Sequence, residues 1–327
     1  MTGHGGEIEG VAVAPSTAGG PRSLGGPADA AEVPGGRTVS GRSGRHRRFP
    51  AHRRAPGRRR VGAVRVRLGL GLLGVLLVLA FAGPYLTSWR WDAVDLTAFR
   101  RPPSARHWLG TTQTGRDMYV LTLRGLRASL VTGLFVAVSA TGLATVTGAV
   151  AGYFGGWADR GLTGVAELLL VLPPLLVVAT LAPALHGAGL PVLAPLLAAF
   201  MWMVTARVVR GMTLSLRDRE YVLAARLLGV RPVAIILRHI VPHLAPLLIV
   251  DVTLNVSTAV IAETSLSYLG FGARPPDVSL GTVIADGAPS AGAFPWLFLP
   301  PVIVLVLLVF AVTLVGDGLR DVLRRPA

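Results

Sequence analysis

Five stretches of the chain run almost free of charge: Leu68 to Trp89, Ala128 to Ala158, Leu168 to Ala206, Ile240 to Ala262 and Gly287 to Gly316, with Asp251 the single interruption of the fourth. Crossing ~30 Å of hydrocarbon at 1.5 Å per residue takes ~20 apolar residues, so each stretch is long enough to span a membrane. The third is too long for one helix. Pro183, Gly187, Gly189 and Pro191 punctuate it, which predicts two spans joined by a tight turn. None of these runs alternates with the period of two of a barrel strand, and only helices or closed barrels satisfy their backbone groups in lipid. The pattern therefore predicts an all-α fold: a polytopic membrane helical bundle with six transmembrane helices, at about residues 66–88, 128–152, 162–184, 190–209, 241–262 and 294–316.

Composition agrees, with 52% hydrophobic and 15% charged residues and a mean hydropathy of +0.58, too apolar for an ordinary soluble domain. Every one of the 32 basic residues is Arg, and the net charge of +15 is informative only by position. With the N-terminus in the cytoplasm, 24 Arg lie inside and eight outside, so both termini are expected to be cytoplasmic. Seven of the eight fall in one loop between Arg90 and Arg127, which is discordant with that rule. Part of this loop is expected to lie along the interface as an amphipathic helix.

Residues 1–60, rich in Gly, Pro, Ala and Arg without apolar periodicity, are expected to form a disordered basic cytoplasmic tail ahead of a transmembrane domain at 61–327. The arginines from Arg45 to Arg60 sit directly before a span, so topology setting and attraction to anionic membrane lipid account for them without nucleic acid. Ala80-Phe81-Ala82 has the look of a cleavage site, but the preceding tail is too long for a signal peptide and further spans follow. With no Cys, disulfides and thiolate catalysis are excluded.

The charged loop at 210–240 carries the most information. It reads Arg217-Asp218-Arg219-Glu220-Tyr221-Val222-Leu223-Ala224-Ala225-Arg226-Leu227-Leu228-Gly229, then Arg238-His239-Ile240-Val241-Pro242. Two small residues let a short helix seat deeply in a cleft of a partner, and a Gly allows a sharp turn out of it. The loop resembles the cytoplasmic "EAA" loop of ABC importer permeases: an Ala-Ala pair, a Gly four residues on, and an Ile-x-Pro ending. Leu223 stands where that motif has its Glu. Three further runs resemble the dipeptide, oligopeptide and nickel branch, in its second permease subunit. They are Leu109-Gly110-Thr111 with Gly115-Arg116-Asp117; Glu263 through Ser265-Leu266-Ser267-Tyr268-Leu269-Gly270-Phe271-Gly272 to Pro275-Pro276; and Gly316-Asp317-Gly318-Leu319-Arg320-Asp321. Thr112 stands where that family usually has Asp, Thr163-Gly164 where Met-Arg is common, and His243 where Asn usually follows the Pro.

The resemblance implies the type I ABC importer permease fold and a multi-pass protein of the plasma membrane. It would form one half of a pore for a small solute, a di- or oligopeptide or nickel. Its partners would be a second permease, ABC ATPase subunits and an extracytoplasmic substrate-binding protein. The chain has no G-x-x-x-x-G-K-[ST] sequence, so ATP and Mg would be bound by the partner ATPase, and no cofactor or metal is expected here. The ATPase contact implied is Glu220, Tyr221, Ala224, Ala225, Arg226 and Gly229, with Pro242 at the start of the fifth span.

Asp251, ~15 Å along the helix beyond Pro242, admits two readings: it lines the substrate path, or it hydrogen-bonds a Thr or Asn255 nearby. Glu167 and Glu263, near span ends, are expected at the interface. His239 and His243 have the spacing of a zinc pair, but Ile240 stands where the zincin Glu belongs. Gly152 to Gly156 reads as a turn. The rival to an ABC permease is a secondary transporter or channel, which would leave the coupling loop without purpose. An enzyme would need paired acids or a nucleophile within the spans, which the pattern lacks.

Overall fold

The computed structural model describes residues 57–181, 189–273 and 277–323. Most of the expected tail, the turn at Pro183 and Gly187, the Pro275-Pro276 pair and the last arginines lie outside the described residues. The elements in order are α1 (Gly57–Ala82), a 3-10 turn (Gly83–Leu86), an irregular loop, α2 (Met118–Phe154), α3 (Gly156–Val171) and α4 (Pro174–Leu181). They continue with α5 (Gly189–Met201), α6 (Met203–Arg217), α7 (Glu220–Leu227), α8 (Pro232–Ile235), a π-helical turn (Ile236–Ile240), α9 (Val241–Tyr268), α10 (Leu280–Gly287) and α11 (Leu299–Leu323). Among the described residues, β-pairing is confined to two isolated bridges, Val94 with Arg116 and Thr111 with Asp117.

The six expected spans become four continuous helices, one bent pair and one broken stretch. The continuous ones are Val61–Leu86, α2, the path Pro232–Tyr268 and α11; α5 and α6 bend by 44° at Trp202. The stretch at 162–184 is divided between α3 and α4. Leu172 is extended there (ψ 128°), the conformation imposed on a residue that precedes proline, and Pro173 and Pro174 follow it.

The helices also overrun the apolar stretches. At 37 residues, α2 is ~55 Å long, far more than a hydrocarbon core requires. α1 starts at Gly57, within the expected tail, and α6 continues to Arg217, within the expected loop. Apolar composition reports contact with lipid, whereas the hydrogen-bond ladder continues into water wherever capping and packing permit. Of the loop expected to carry an amphipathic helix, residues 87–117 contain no helix, and 118–127 form the first turns of α2. Glycines at two tight turns, Gly110 (φ 78°) and Gly115 (φ 76°), fold the loop back over the start of α2 instead.

α2 packs against α5, α6, α9 and α10, while α1 lies along α11, and α11 along α9. With no hydrophobic drive between helices in lipid, close backbone approach is what holds them. A methyl group added at Gly148 would stand 2.5 Å from the carbonyl oxygen of Ala206, and one at Gly152 2.8 Å from that of Arg210. This Gly-x-x-x-Gly pair is therefore the seat of α6. Gly69 of α1 meets Ala311 and Val315 of α11 in the same way, and Gly318 of α11 meets Gly62 and Val66 of α1. Gly148→Leu is expected to separate α2 from α6 and cost about 1–3 kcal/mol, read as a lowered melting temperature of the detergent-solubilised chain; an unchanged melt would show that α6 seats elsewhere.

Candidate functional site

At one end of the bundle α6 ends at Arg217, and α7 follows after Asp218 and Arg219. Arg219 is extended (ψ 144°) as the N-cap, and Glu220 stands in the first turn, where the helix dipole favours an acid. At the other end Gly229 adopts a left-handed conformation (φ 75°). Its amide donates to the Arg226 carbonyl at 3.1 Å, and the Val230 amide to the Ala225 carbonyl at 3.1 Å, a Schellman cap.

The eight residues of α7 have two faces. Val222 and Ala225 point inward and join Ala149 and Tyr153 of α2, Val209 of α6, and Ile235, Ile236, Ile240 and Leu244. Ala225 is only 8% exposed. The Ala-Ala pair is thus split: Ala225 holds α7 to its own chain, and Ala224 alone is exposed. Glu220, Tyr221, Arg226 and Gly229 are exposed as well. The Arg226 guanidinium lies over the Tyr153 ring at 5.2 Å, and Tyr221 stacks on His243 at 5.3 Å. The His243 Nδ1 is 2.7 Å from the His239 backbone carbonyl oxygen, so the ring of one member of the zinc-spaced pair is engaged locally. Pro242 is the second residue of α9, within a helical path that is continuous from Pro232. Lacking an N–H, it leaves the Arg238 carbonyl without its usual donor. The Val241 amide reaches back to Ile236, and the ladder widens to a π turn just before the proline.

Residues that reasoning from sequence passed over complete the outer face. Leu227 and Leu228 are each 83% exposed, and Leu223, Val230 and Val233 are exposed beside them. The signal was available: Leu223 and Leu227 are four apart on a helix between charged segments. Nearby, Arg210 grips the Asp159 carboxylate through Nε and Nη2, and this hydrogen bonding holds Asp159 below the usual carboxylate range against the opposing effect of burial. Arg217 donates to the Gly152 carbonyl at 3.1 Å, tying α6 to the end of α2. Gly155 and Gly156 (φ 65° and 55°) make the turn expected there.

Asp251 lies apart from α7, within α9. Its Oδ2 accepts from Thr141 of α2 at 2.7 Å and from Asn255 at 2.9 Å, and its Oδ1 accepts from Thr205 of α6 at 2.8 Å. The hydrogen bonds of the second reading are present, and through them the carboxylate joins three helices at one level. Glu167 is exposed and 3.8 Å from Arg207. Glu263 departs from its expected interfacial place. It is 1% exposed and accepts from Ser129 of α2 at 3.1 Å and from Ser267 at 2.7 Å. Ser129 in turn accepts from the Leu280 amide at the start of α10.

At the opposite end from α7, the loop before α2 is built round buried His107. Its Nδ1 meets Asp117 at 2.8 Å, and Asp117 also caps α2 by accepting from the Val120 amide at 3.1 Å. Asp95 faces the other ring nitrogen at 3.5 Å. Hydrogen bonds from Thr97 hold the Asp95 carboxyl below its usual range, with His107 and Arg106 adding to the effect.

The profile of the family described as "Binding-protein-dependent transport system inner membrane component" matches residues 144–326, a range that contains α7, Asp251 and Glu263. The oligopeptide transport system permease protein OppC of Mycobacterium tuberculosis is 51% identical over 255 residues, covering 78% of this chain and 88% of that one. OppC of Bacillus subtilis is 35% identical over 255 residues (78% and 83%), and the dipeptide permease protein DppC of the same organism 38% over 257 (78% and 80%). The chain belongs to the family of inner-membrane components of binding-protein-dependent transport systems. It is a multi-pass protein of the plasma membrane, and the relatives it matches are transport permeases rather than enzymes.

Replacing Asp251 by Leu leaves Thr141, Thr205 and Asn255 without their common acceptor, and is expected to cost about 1–3 kcal/mol, seen as a lowered melt. Asp251→Asn, which keeps shape and one acceptor, is expected to be milder and to retain solute uptake. Loss of uptake in a stably folded Asn variant would assign the charge to the substrate path instead.

Proposed function

We propose that this chain is one of two permease subunits of an ATP-driven importer of oligopeptides, and that the outer face of α7 docks a separate ABC ATPase. The observation that carries this reading is the division of α7 into two faces. Leucines that are four-fifths exposed on a charged loop, Leu227 and Leu228, expose apolar area that water disfavours and a partner cleft would cover. The names of the relatives support oligopeptides as the solute class.

In this reading both termini and α7 lie on the cytoplasmic side, and the His107 loop faces outward toward an extracytoplasmic binding protein. The ATPase supplies ATP and Mg; this chain converts its motion. A push on α7 meets Val222 and Ala225, which are packed on α2, α6 and the π turn before α9. Those helices are tied together again at Asp251, so they would tilt as a unit rather than singly. The π turn is the compliant place, because its wider ladder is less regular than an α-helix.

Leu227→Asp with Leu228→Asp is expected to reduce the ATPase recovered with the tagged chain from mild detergent by about tenfold, as loss of an interface anchor does, while the melt of the isolated chain stays unchanged. Ala225→Glu is expected to lower both, because it disrupts the seat of α7 itself. Full ATPase recovery with the double aspartate variant would overturn the docking face.

A further inference from the structure

The arginines opposite α7 are not alike. Arg90 pairs with Asp92 at 3.2 Å, Arg106 is 3.9 Å from Asp95, and Arg100 meets Gln113. Arg101 and Arg116 have no acidic partner among the described residues, and neither do Arg124 and Arg127. Both stand on one face of α2, three residues apart, and both are laid on aromatic rings. Arg124 is over Trp91 at 4.1 Å and Arg127 over Phe81 of α1 at 4.7 Å. Between them, the end of α1 and residues 84–91 is a cavity of about 390 Å³ whose walls include Tyr85 and Trp89.

The level of this cavity in the membrane follows from sequence and fold together. The uncharged part of α2 begins at Ala128, one residue beyond Arg127, and that of the first span ends at Trp89. Tyr and Trp concentrate where hydrocarbon meets headgroups. Two guanidiniums held by ring faces keep their donors free for an oxyanion, and a planar fork suits a phosphate. Tyr85 is 86% exposed at the rim, which leaves an apolar flank along which acyl chains can continue.

We propose that this cavity binds the headgroup phosphate of an anionic membrane phospholipid, held by Arg124 and Arg127. The site accounts for two of the charges that oppose the positive-inside pattern: they are there for lipid, and the rings beside them replace the acids that would otherwise neutralise them. Bound lipid would add a further tie between α1 and α2, which already meet around Leu76, Ala80 and Leu123 and through Arg127 over Phe81.

The test is native mass spectrometry of the full-length chain in mild detergent, offered dioleoyl phosphatidylglycerol or dioleoyl phosphatidylcholine. Retention of phosphatidylglycerol over phosphatidylcholine is expected. Arg127→Gln, at an exposed position without an ion pair, should weaken retention about five-fold, and Arg124→Gln with Arg127→Gln roughly twenty-fold. The paired Lys variants, which preserve charge and insertion, should keep most of it. Equal retention of the two lipids, or wild-type retention in both Gln variants, would overturn the proposal. So would displacement of phosphatidylglycerol by millimolar inorganic phosphate, which marks a free-anion site, or a cross-link from position 127 to a partner protein, which marks a protein interface.

Discussion

Lipid offers a backbone no hydrogen-bond partner and gives helices no reason to prefer one another over acyl chains, so this bundle depends on how closely its backbones can approach. α2 meets that constraint along most of its length. Gly125 faces the start of α10, Gly133 faces Val256 and Val260 of α9, and Gly148 and Gly152 face α6. Glycine costs helix propensity, and here that cost is offset by contacts no larger residue would allow. Polar groups then fix the register: Asp251 joins α2, α6 and α9 at one depth, and Glu263 joins α2 and α9 near the far end, with α10 attached through Ser129.

α7 is short for a helix, and isolated helices of such length do not persist in water. Its order comes from the Schellman cap at Gly229 and from the burial of Val222 and Ala225. The same two residues make α7 rigid toward the bundle while leaving Leu223, Leu227 and Leu228 outside.

Much of this was legible in the residues. Charge-free runs marked the helices because charge is what hydrocarbon excludes, and the Ala-Ala-Gly spacing marked α7. The ends of helices were not legible, since composition changes at the lipid boundary and hydrogen bonding does not; α2 starts at Met118 rather than near Ala128. Nor was the break at Leu172, where apolar character continues and only the two prolines intervene. The orientation of Ala225 needed the neighbours: an alanine fits equally against a partner or against its own chain. For Glu263 the nearby serines were visible in sequence, but Ser129, 134 positions away, was not.

The quoted motifs turn out to be joints, which bears on the positions where this chain departs from the family pattern. Gly110, Gly115 and Asp117 fold the loop that precedes α2 onto it, Glu263 and Ser267 hold α9 to α2, and Gly316 and Gly318 seat α11 on α9 and α1. Thr112, where Asp is usual, still accepts from the Arg116 amide at 3.0 Å and the Thr114 amide at 3.3 Å, the bonds a short acid would make in such a turn. Thr163 donates to Asp159 at 3.1 Å, and His243 supplies the ring on which Tyr221 stacks. The departures at Thr112, Thr163 and His243 are each absorbed by contacts close at hand. They alter how neighbouring elements are fastened.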